Sequence, residues 1–416
     1  MIKYSIDQEP IISVGLVLPS DKQKVLFIID SKNKKSYKIK CQNNNLYVND
    51  VLVDFFELKN EDNQDIFSVN DIPAGRGFHW GKSIAIKVKG SLKVTVIVNS
   101  LFLTNYIPIE SYLMCVATSE MSGKCPIPLL ESQTIAARSW LLAAVEKKHQ
   151  NLGLDVCNDD CCQRYQGINQ LTQSAINASK NTRGNVLFSD TEICDTRYSK
   201  SCGGFSENNQ NVWKTPSKTY LQGLYDNQNE KMYNLEDEDS FIQWIKSPPS
   251  AFCNNQNIDE KELKYYLGTV DEKASYFRWR FNFSQVEITK IINKKMGLNC
   301  ENILSIIPIK RGVSGRIIKL EIIASSKNKV IEFILNSEYE IRRVLHTDFL
   351  YSSAFIVETT IIDNPIPTNF ILRGAGWGHG VGLCQIGALG MALKGKKTNE
   401  ILSHYFSSTE LKKIYD

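Results

Sequence analysis

Along the first hundred positions apolar residues recur at every second residue or in short runs, the spacing of half-buried strands. Residues 12–18 and 24–29 are apolar runs closed by Pro19-Ser20 and Asp30-Ser31, and residues 36–41 alternate basic with other side chains. Ile84, Ile86 and Val88, followed by Val94, Val96 and Val98, flank Gly90-Ser91 and predict a two-residue hairpin. Residues 71–77, with Pro73 and two glycines, read as a loop. The pattern predicts a β-rich N-terminal domain over residues 1–100.

The period changes at Tyr106. Pro108-Ile109-Glu110 opens a helix whose Ile109, Leu113 and Val116 share a face. A second helix is expected over 128–148, with a stripe of Leu130, Ala137, Trp140, Leu141, Ala144 and Val145 and a basic end at Lys147-Lys148-His149. Residues 171–181 read as a short helix and 186–199 as strands. Residues 207–275 are polar and interrupted by Pro248-Pro249, which suggests an insertion or lid. Strands are expected over 277–283, 303–309, 317–324 and 330–335, and a Gly-rich loop over 374–390 runs into a helix at 388–393. The pattern is that of an α+β chain, with a second, mixed helix/sheet domain over 101–416.

The chain has 416 residues, 42% hydrophobic and 23% charged, which excludes a largely disordered chain. Its net charge of +4 gives no electrostatic case for a nucleic-acid partner. No apolar run reaches the roughly 18 residues of a membrane helix. No secretory signal is visible, because Asp7 and Glu9 follow Lys3 with no apolar core. The 11 cysteines are an odd number, so at least one is unpaired, and their clustering favours a metal site over a disulfide framework.

Four segments carry candidate chemistry. Glu120, in Ser119-Glu120-Met121 between the two helices, is either a solvated helix-end glutamate or a cleft carboxyl that apolar neighbours suit for proton donation. Cys157, Cys161 and Cys162 share one loop with His149 and Asp155 nearby. That set can hold zinc, or form one disulfide and leave a free thiol. Gly374-Ala375-Gly376-Trp377-Gly378-His379-Gly380-Val381-Gly382-Leu383-Cys384-Gln385 lets a backbone approach a ligand closely. Trp377 offers a face for a sugar, His379 and Gln385 offer hydrogen bonds, and a tight structural turn is the alternative. It lacks the surroundings of a dinucleotide fingerprint and the Lys-Ser/Thr of a phosphate loop. Tyr198-Ser199-Lys200-Ser201-Cys202-Gly203-Gly204 is a turn that can also meet sugar hydroxyls.

These four pieces in this order, with Glu131 to Trp140 between the first and second, resemble the SpoIID/LytB family (stage II sporulation protein D) of peptidoglycan-remodelling proteins. The resemblance spans residues 105 to 395 and implies a SpoIID-like catalytic domain. It implies a lytic transglycosylase that cuts the MurNAc-GlcNAc bond of denuded glycan strands to anhydro-muramyl ends, with Glu120 as the general acid/base. It also implies a structural zinc at Cys157, Cys161, Cys162 and His149, and substrate contacts from Arg138, Tyr198, Ser199, Trp377, His379 and Gln385. The LytB branch supplies the alternative, a non-catalytic enhancer that binds cell wall and stimulates an amidase. Either reading implies glycan strands as partner, a cell-wall amidase as a second partner in the latter, and an extracytoplasmic location. Two departures stand out. Cys161 occupies a position where family members carry His, and Cys202 one where a hydroxyl residue is expected.

Overall fold

The computed structural model describes residues 8–77, 81–146, 148–228, 233–254, 258–268, 275–327, 329–362 and 365–416. Ten strands come first: β1 (Ile11–Val17), β2 (Val25–Asp30), β3 (Lys35–Gln42), β4 (Asn45–Val48), β5 (Val51–Val53), β6 (Phe56–Leu58), β7 (Phe67–Ala74), β8 (Lys82–Val88), β9 (Ser91–Ile97) and β10 (Ser100–Pro108). They form a six-stranded sheet of order β5-β4-β3-β2-β7-β8 and a sheet in which β1, β10, β9 and β6 lie side by side.

The hairpin expected at Gly90-Ser91 does not form. β8 pairs with β7, whereas β9 pairs with β10 and β6. Gly90 marks the crossing between two sheets. It sits at φ +78°, where an added Cβ would fall 2.2 Å from the Tyr106 carbonyl. Asn105 Nδ2 satisfies the carbonyls on either side, of Lys89 and Ser91. The two-residue turn lies instead at Val98-Asn99, with φ 48° and 53°, joining paired Ile97 and Ser100. Residues 71–74 are strand rather than loop. The left-handed Asp71 makes a bulge between Val69 and Ile72, and β7 continues to Ala74.

The chain divides into two compact units, Met1–Asp195 with Lys264–Val270 and Glu410–Asp416, and Thr196–Leu263 with Asp271–Thr409. A boundary at residue 100 would cut the sheet of β1, β10, β9 and β6, because β10 pairs along its length with β1 and β9 from before that point. In the first unit α1 (Ile109–Glu120), α2 (Ile127–Ala143) and α3 (Gln173–Asn181) follow. α2 ends five residues before the expected 148, where Ala144 turns left-handed at φ 48°.

In the second unit, antiparallel strands Arg278–Ser284, Asn369–Ala375 and Phe355–Thr360 form one sheet and Asn302–Arg311, Ile317–Ser326 and Lys329–Leu335 another. Helix Gln285–Met296 starts with a capping box of Ser284 and Glu287 and stops at left-handed Gly297. Its Ile288 and Ile292 are buried with Leu320, Phe355, Phe370 and Leu372. Part of the 207–275 stretch, read from the sequence as an insertion or lid, packs into the second unit's core. Helix Glu238–Lys246 buries Phe241, Trp244 and Ile245 against Phe205, Ile356 and Ala375. The polar reading came from the exposed face of that amphipathic helix. The fold is α+β, as expected.

Candidate functional site

Glu120 is the last residue of α1. The preceding turn is fixed from both sides. Ser119 Oγ donates to the Cys115 carbonyl at 2.7 Å and accepts from the Gln166 amide at 3.1 Å. The same segment reaches Glu120, whose Oε1 accepts from the Arg164 amide at 3.1 Å. Tyr165, between those two amides, is buried on Tyr112 and donates to Asn105 Oδ1 at 2.9 Å. The half-buried Glu120 carboxylate is thus held by a backbone N–H on a rigid loop. The other carboxylates of that loop are engaged. Asp155 accepts from Ser13, Asp159 from the Gly75 and Arg76 amides, and Asp160 pairs with Arg164. Lys82, Asn158, Asp159, Asp160, Arg164 and Gln166, with Ala74 and Gly75, line a small cavity in this unit. Gly123, in the turn after Glu120, leaves space for Thr172, the N-cap of α3: a Cβ there would lie 2.3 Å from Thr172 Oγ1.

Cys157, Cys161, Cys162 and His149 come together, with their ligating atoms all within 4.8 Å of one another. Cys157 Sγ and Cys161 Sγ are 3.1 Å apart, and Cys161 Sγ is 3.7 Å from His149 Nε2. The loop is fastened to the sheet of β1, β10, β9 and β6, because Val156 and Cys157 pair in parallel with Val14 and Gly15 of β1. The early end of α2 lets the chain turn and bring His149 to the cysteines. Asp155 is excluded from the cluster by its bonds to Ser13. Contacts from Cys157 and Cys162, with His149 beside them, hold the Cys161 thiol well below its usual range, while the contact from Cys161 pushes Cys157 up.

Arg138 requires a correction. It is 0% exposed on α2 and cannot reach a substrate. Its Nε and Nη2 make a fork on Glu110 at 2.9 and 2.6 Å, and Nη1 donates to the Asn185 carbonyl. Burial pushes the Glu110 carboxyl up, but Arg138, Tyr415 and Ser179 outweigh it and hold the group below its usual value. Such a carboxylate adds stability above the ordinary glutamate range that is lost as pH falls through its lowered folded value. Arg138→Ala strands this buried charge, so denaturant unfolding should show a loss of about 3–5 kcal/mol. Glycan affinity of the molecules still folded should be unchanged; a specific loss of affinity would return Arg138 to the substrate site.

Tyr198, Ser199, Trp377, His379 and Gln385 all belong to the second unit. Strands Tyr198–Ser199 and Leu383–Cys384 pair in parallel, and Ser201 bridges to Trp377, so the two glycine-rich motifs are one substructure. Trp377 is half-buried and stacked on Tyr351, with centroids 4.1 Å apart. His379 Nδ1 accepts from the Val381 amide at 3.0 Å, which leaves Nε2 as donor in the neutral ring. The ring meets the edge of Trp213, over which Arg197 lies. Gly378, at φ +93°, packs on Ser199, whose buried hydroxyl has no partner among the described residues. Gln385 is 1% exposed at the start of helix Gln385–Leu393 and belongs to the core rather than to a sugar-facing surface. Trp213, Arg197 and Tyr351 went unnoticed in the sequence. A lone Trp in the polar 207–275 stretch was the available signal for the first.

Among the described residues no helix is long and apolar enough to cross a membrane. The family model "Stage II sporulation protein" matches residues 98–188, and a domain of unknown function (DUF8618) matches residues 207–382. An uncharacterised protein of Brachyspira hyodysenteriae is 24% identical over 326 residues, 78% of this chain and 72% of that protein. The amidase enhancer of Bacillus subtilis is 25% identical over 307 residues, 71% of this chain but only 39% of that protein's length. Stage II sporulation protein D of Bacillus amyloliquefaciens is 22% identical over 324 residues, 73% of this chain and 74% of that protein.

Proposed function

We propose that this chain, which belongs to the SpoIID/LytB family, acts on the cell wall as a lytic transglycosylase of denuded glycan strands. The observation that carries the reading is the Ser119-Glu120 corner: one half-buried carboxylate held by a backbone amide, with Asp155, Asp159 and Asp160 tied up in other bonds. Hydrolysis of a glycoside ordinarily needs two free carboxylates, one as acid and one as base or nucleophile. One is enough when the nucleophile belongs to the substrate.

In the proposed reaction the Glu120 carboxylic acid gives its proton to the glycosidic oxygen between N-acetylmuramic acid and N-acetylglucosamine. The C1–O4 bond breaks. The Glu120 carboxylate then takes the proton of the muramyl six-hydroxyl, whose oxygen bonds to the same C1. The acid is regenerated, water is not consumed, and the product ends in a 1,6-anhydro ring. Trp377, His379 and Tyr198 are the second unit's candidate sugar contacts.

His149, Cys157, Cys161 and Cys162 fit a metal by donor chemistry, three sulfurs and an imidazole nitrogen that converge. We assign them a structural zinc, which ties the 157–162 loop to His149. No step of the reaction uses it. The amidase enhancer among the relatives supplies the second reading, stimulation of an amidase without glycan cleavage. On either reading the chain works at the cell envelope.

Purified protein incubated with amidase-treated peptidoglycan should release fragments ending in anhydro-muramic acid, identified by mass spectrometry. Reducing muramyl ends would mean that water attacks and a second carboxylate operates. Uncut glycan together with a faster partner amidase would establish the second reading.

A further inference from the structure

A second convergent cluster lies in the second unit. Cys202, Asp226, Cys253 and Cys384 are all buried, and their ligating atoms lie within 4.8 Å of one another. We propose that these four residues form a second metal site, of the thiolate-rich tetrahedral kind that takes zinc.

The spacing suits the metal. A zinc–sulfur bond of about 2.3 Å puts the sulfurs of a tetrahedral site about 3.8 Å apart. Cys202 Sγ and Cys253 Sγ are 3.7 Å apart. Backbone amides point at the sulfurs, as they do where sulfur carries charge. Cys384 Sγ accepts from the Cys202 amide at 3.2 Å and the Gly387 amide at 3.3 Å, and Cys202 Sγ accepts from the Gly204 amide at 3.4 Å. Cys384 is also the N-cap of helix Gln385–Leu393, where the helix dipole favours an anion.

The surroundings are those of a supported ligand set. Asp226 is oriented by Tyr405 Oη at 2.6 Å and by the Cys253 amide at 3.1 Å, with His404 Nε2 at 3.8 Å. Hydrogen bonds that aim ligands in this way are the usual outer support of a metal. Two guanidiniums flank the Cys202-Gly203 turn. Arg316, 0% exposed, donates to the carbonyls of Cys202 and Phe205 and to Ser314 Oγ, all neutral acceptors, and Arg278 donates to the Gly203 carbonyl. Burying a guanidinium is costly unless negative charge lies near; for Arg316 part of that charge is Glu207, which accepts from Ser314 Oγ, and the rest can come from the cluster. Three thiolates and a carboxylate around one dication leave a net negative charge that both arginines would offset. Gly387 belongs to the same design: a Cβ there would fall 2.2 Å from Tyr405 Oη and 2.7 Å from Asp226 Oδ1.

The metal would cross-link four separate stretches of chain, among them both glycine-rich motifs. Cys202 follows Ser201, which exchanges two backbone hydrogen bonds with Trp377, and Cys384 closes the loop that carries His379. The site would thereby hold the backbone under Trp377 and His379 without touching a ligand itself.

Metal content per chain tests this, on full-length protein made in a reducing cytoplasm with zinc supplied. Wild type should carry about two zinc ions per chain. Cys157→Ser, which disables only the first cluster, should keep one, and so should Cys253→Ala, which disables only the second. In native wild type, cysteines 202, 253 and 384 should resist alkylation and become reactive as zinc is withdrawn by a chelator. One zinc in wild type and none in Cys157→Ser would overturn the proposal. So would a Cys202–Cys253 disulfide found by peptide mass mapping of protein kept from air. If either variant fails to fold, the wild-type stoichiometry and the alkylation pattern decide the matter alone.

Discussion

Glu120→Gln should cut turnover of denuded glycan by roughly a hundred- to ten-thousand-fold, the range that general acid–base catalysis supplies. The upper end is expected, because one group serves both as acid and as base and nothing nearby stands in for it. Asp159 and Asp160 lie just before Arg164 on the loop that holds Glu120. The first is spent on Gly75 and Arg76 and the second on Arg164. Glutamine keeps the size of the side chain and its amide oxygen can still accept from the Arg164 amide, so the α1 corner should survive. The variant should melt like wild type and bind glycan as well, while anhydro-muramyl products all but vanish. A variant that still cleaves would move the acid elsewhere, with Asp160 next to be tested. A variant that stimulates an amidase as well as wild type does, when neither cuts glycan, would favour the enhancer reading.

How far the sequence could be read depended on whether a local rule or a distant partner decided each element. α3 and the strands near 303, 317 and 330 lie where the sequence put them, because short apolar stretches bounded by polar residues mark them locally. The 84–99 hairpin failed because Gly90-Ser91 looks like a turn whichever sheets the flanking strands join. Each strand instead paired with its other neighbour in sequence, β8 with the preceding β7 and β9 with the following β10. Arg138 is the same lesson for a side chain. An arginine on an apolar helix suggests a ligand contact until its partner, Glu110 on α1, is seen at 2.6 Å. The cysteine loop was legible because its three ligands are near neighbours. The cluster of Cys202, Asp226, Cys253 and Cys384 spans more than 180 positions, and no spacing rule joins them. Glu120 was found through its motif, whereas the amide that holds it comes from Arg164, whose role only the folded loop reveals.

Cys157→Ser should release the metal of the first cluster and lower the melting temperature by roughly 8–16 °C. The figure follows from about 4 kcal/mol for loss of a structural metal and about 2–4 °C per kcal/mol in a unit of this size. Cys157 is the most consequential ligand to change, because it is buried and is also the residue by which the loop pairs with Gly15 of β1. The sheet register should hold, so the loss should fall on the loop and, through the Arg164 and Gln166 amides, on the Glu120 corner. Activity should therefore fall with zinc content, although the metal takes no part in the reaction. Zinc should also leave as pH is lowered, because three thiolates and an imidazole bind protons in competition with the metal. Cys161→His is the informative companion. Cys161 is exposed at the rim of the cluster, and imidazole is a good zinc ligand. That variant should keep zinc, stability and activity, since it restores the residue that the family resemblance implies at this position. Metal-free wild type with Cys157 in a disulfide and an unchanged melting curve would leave the four residues as a redox pair with two bystanders. The convergence of His149 on Cys161 would then need another cause.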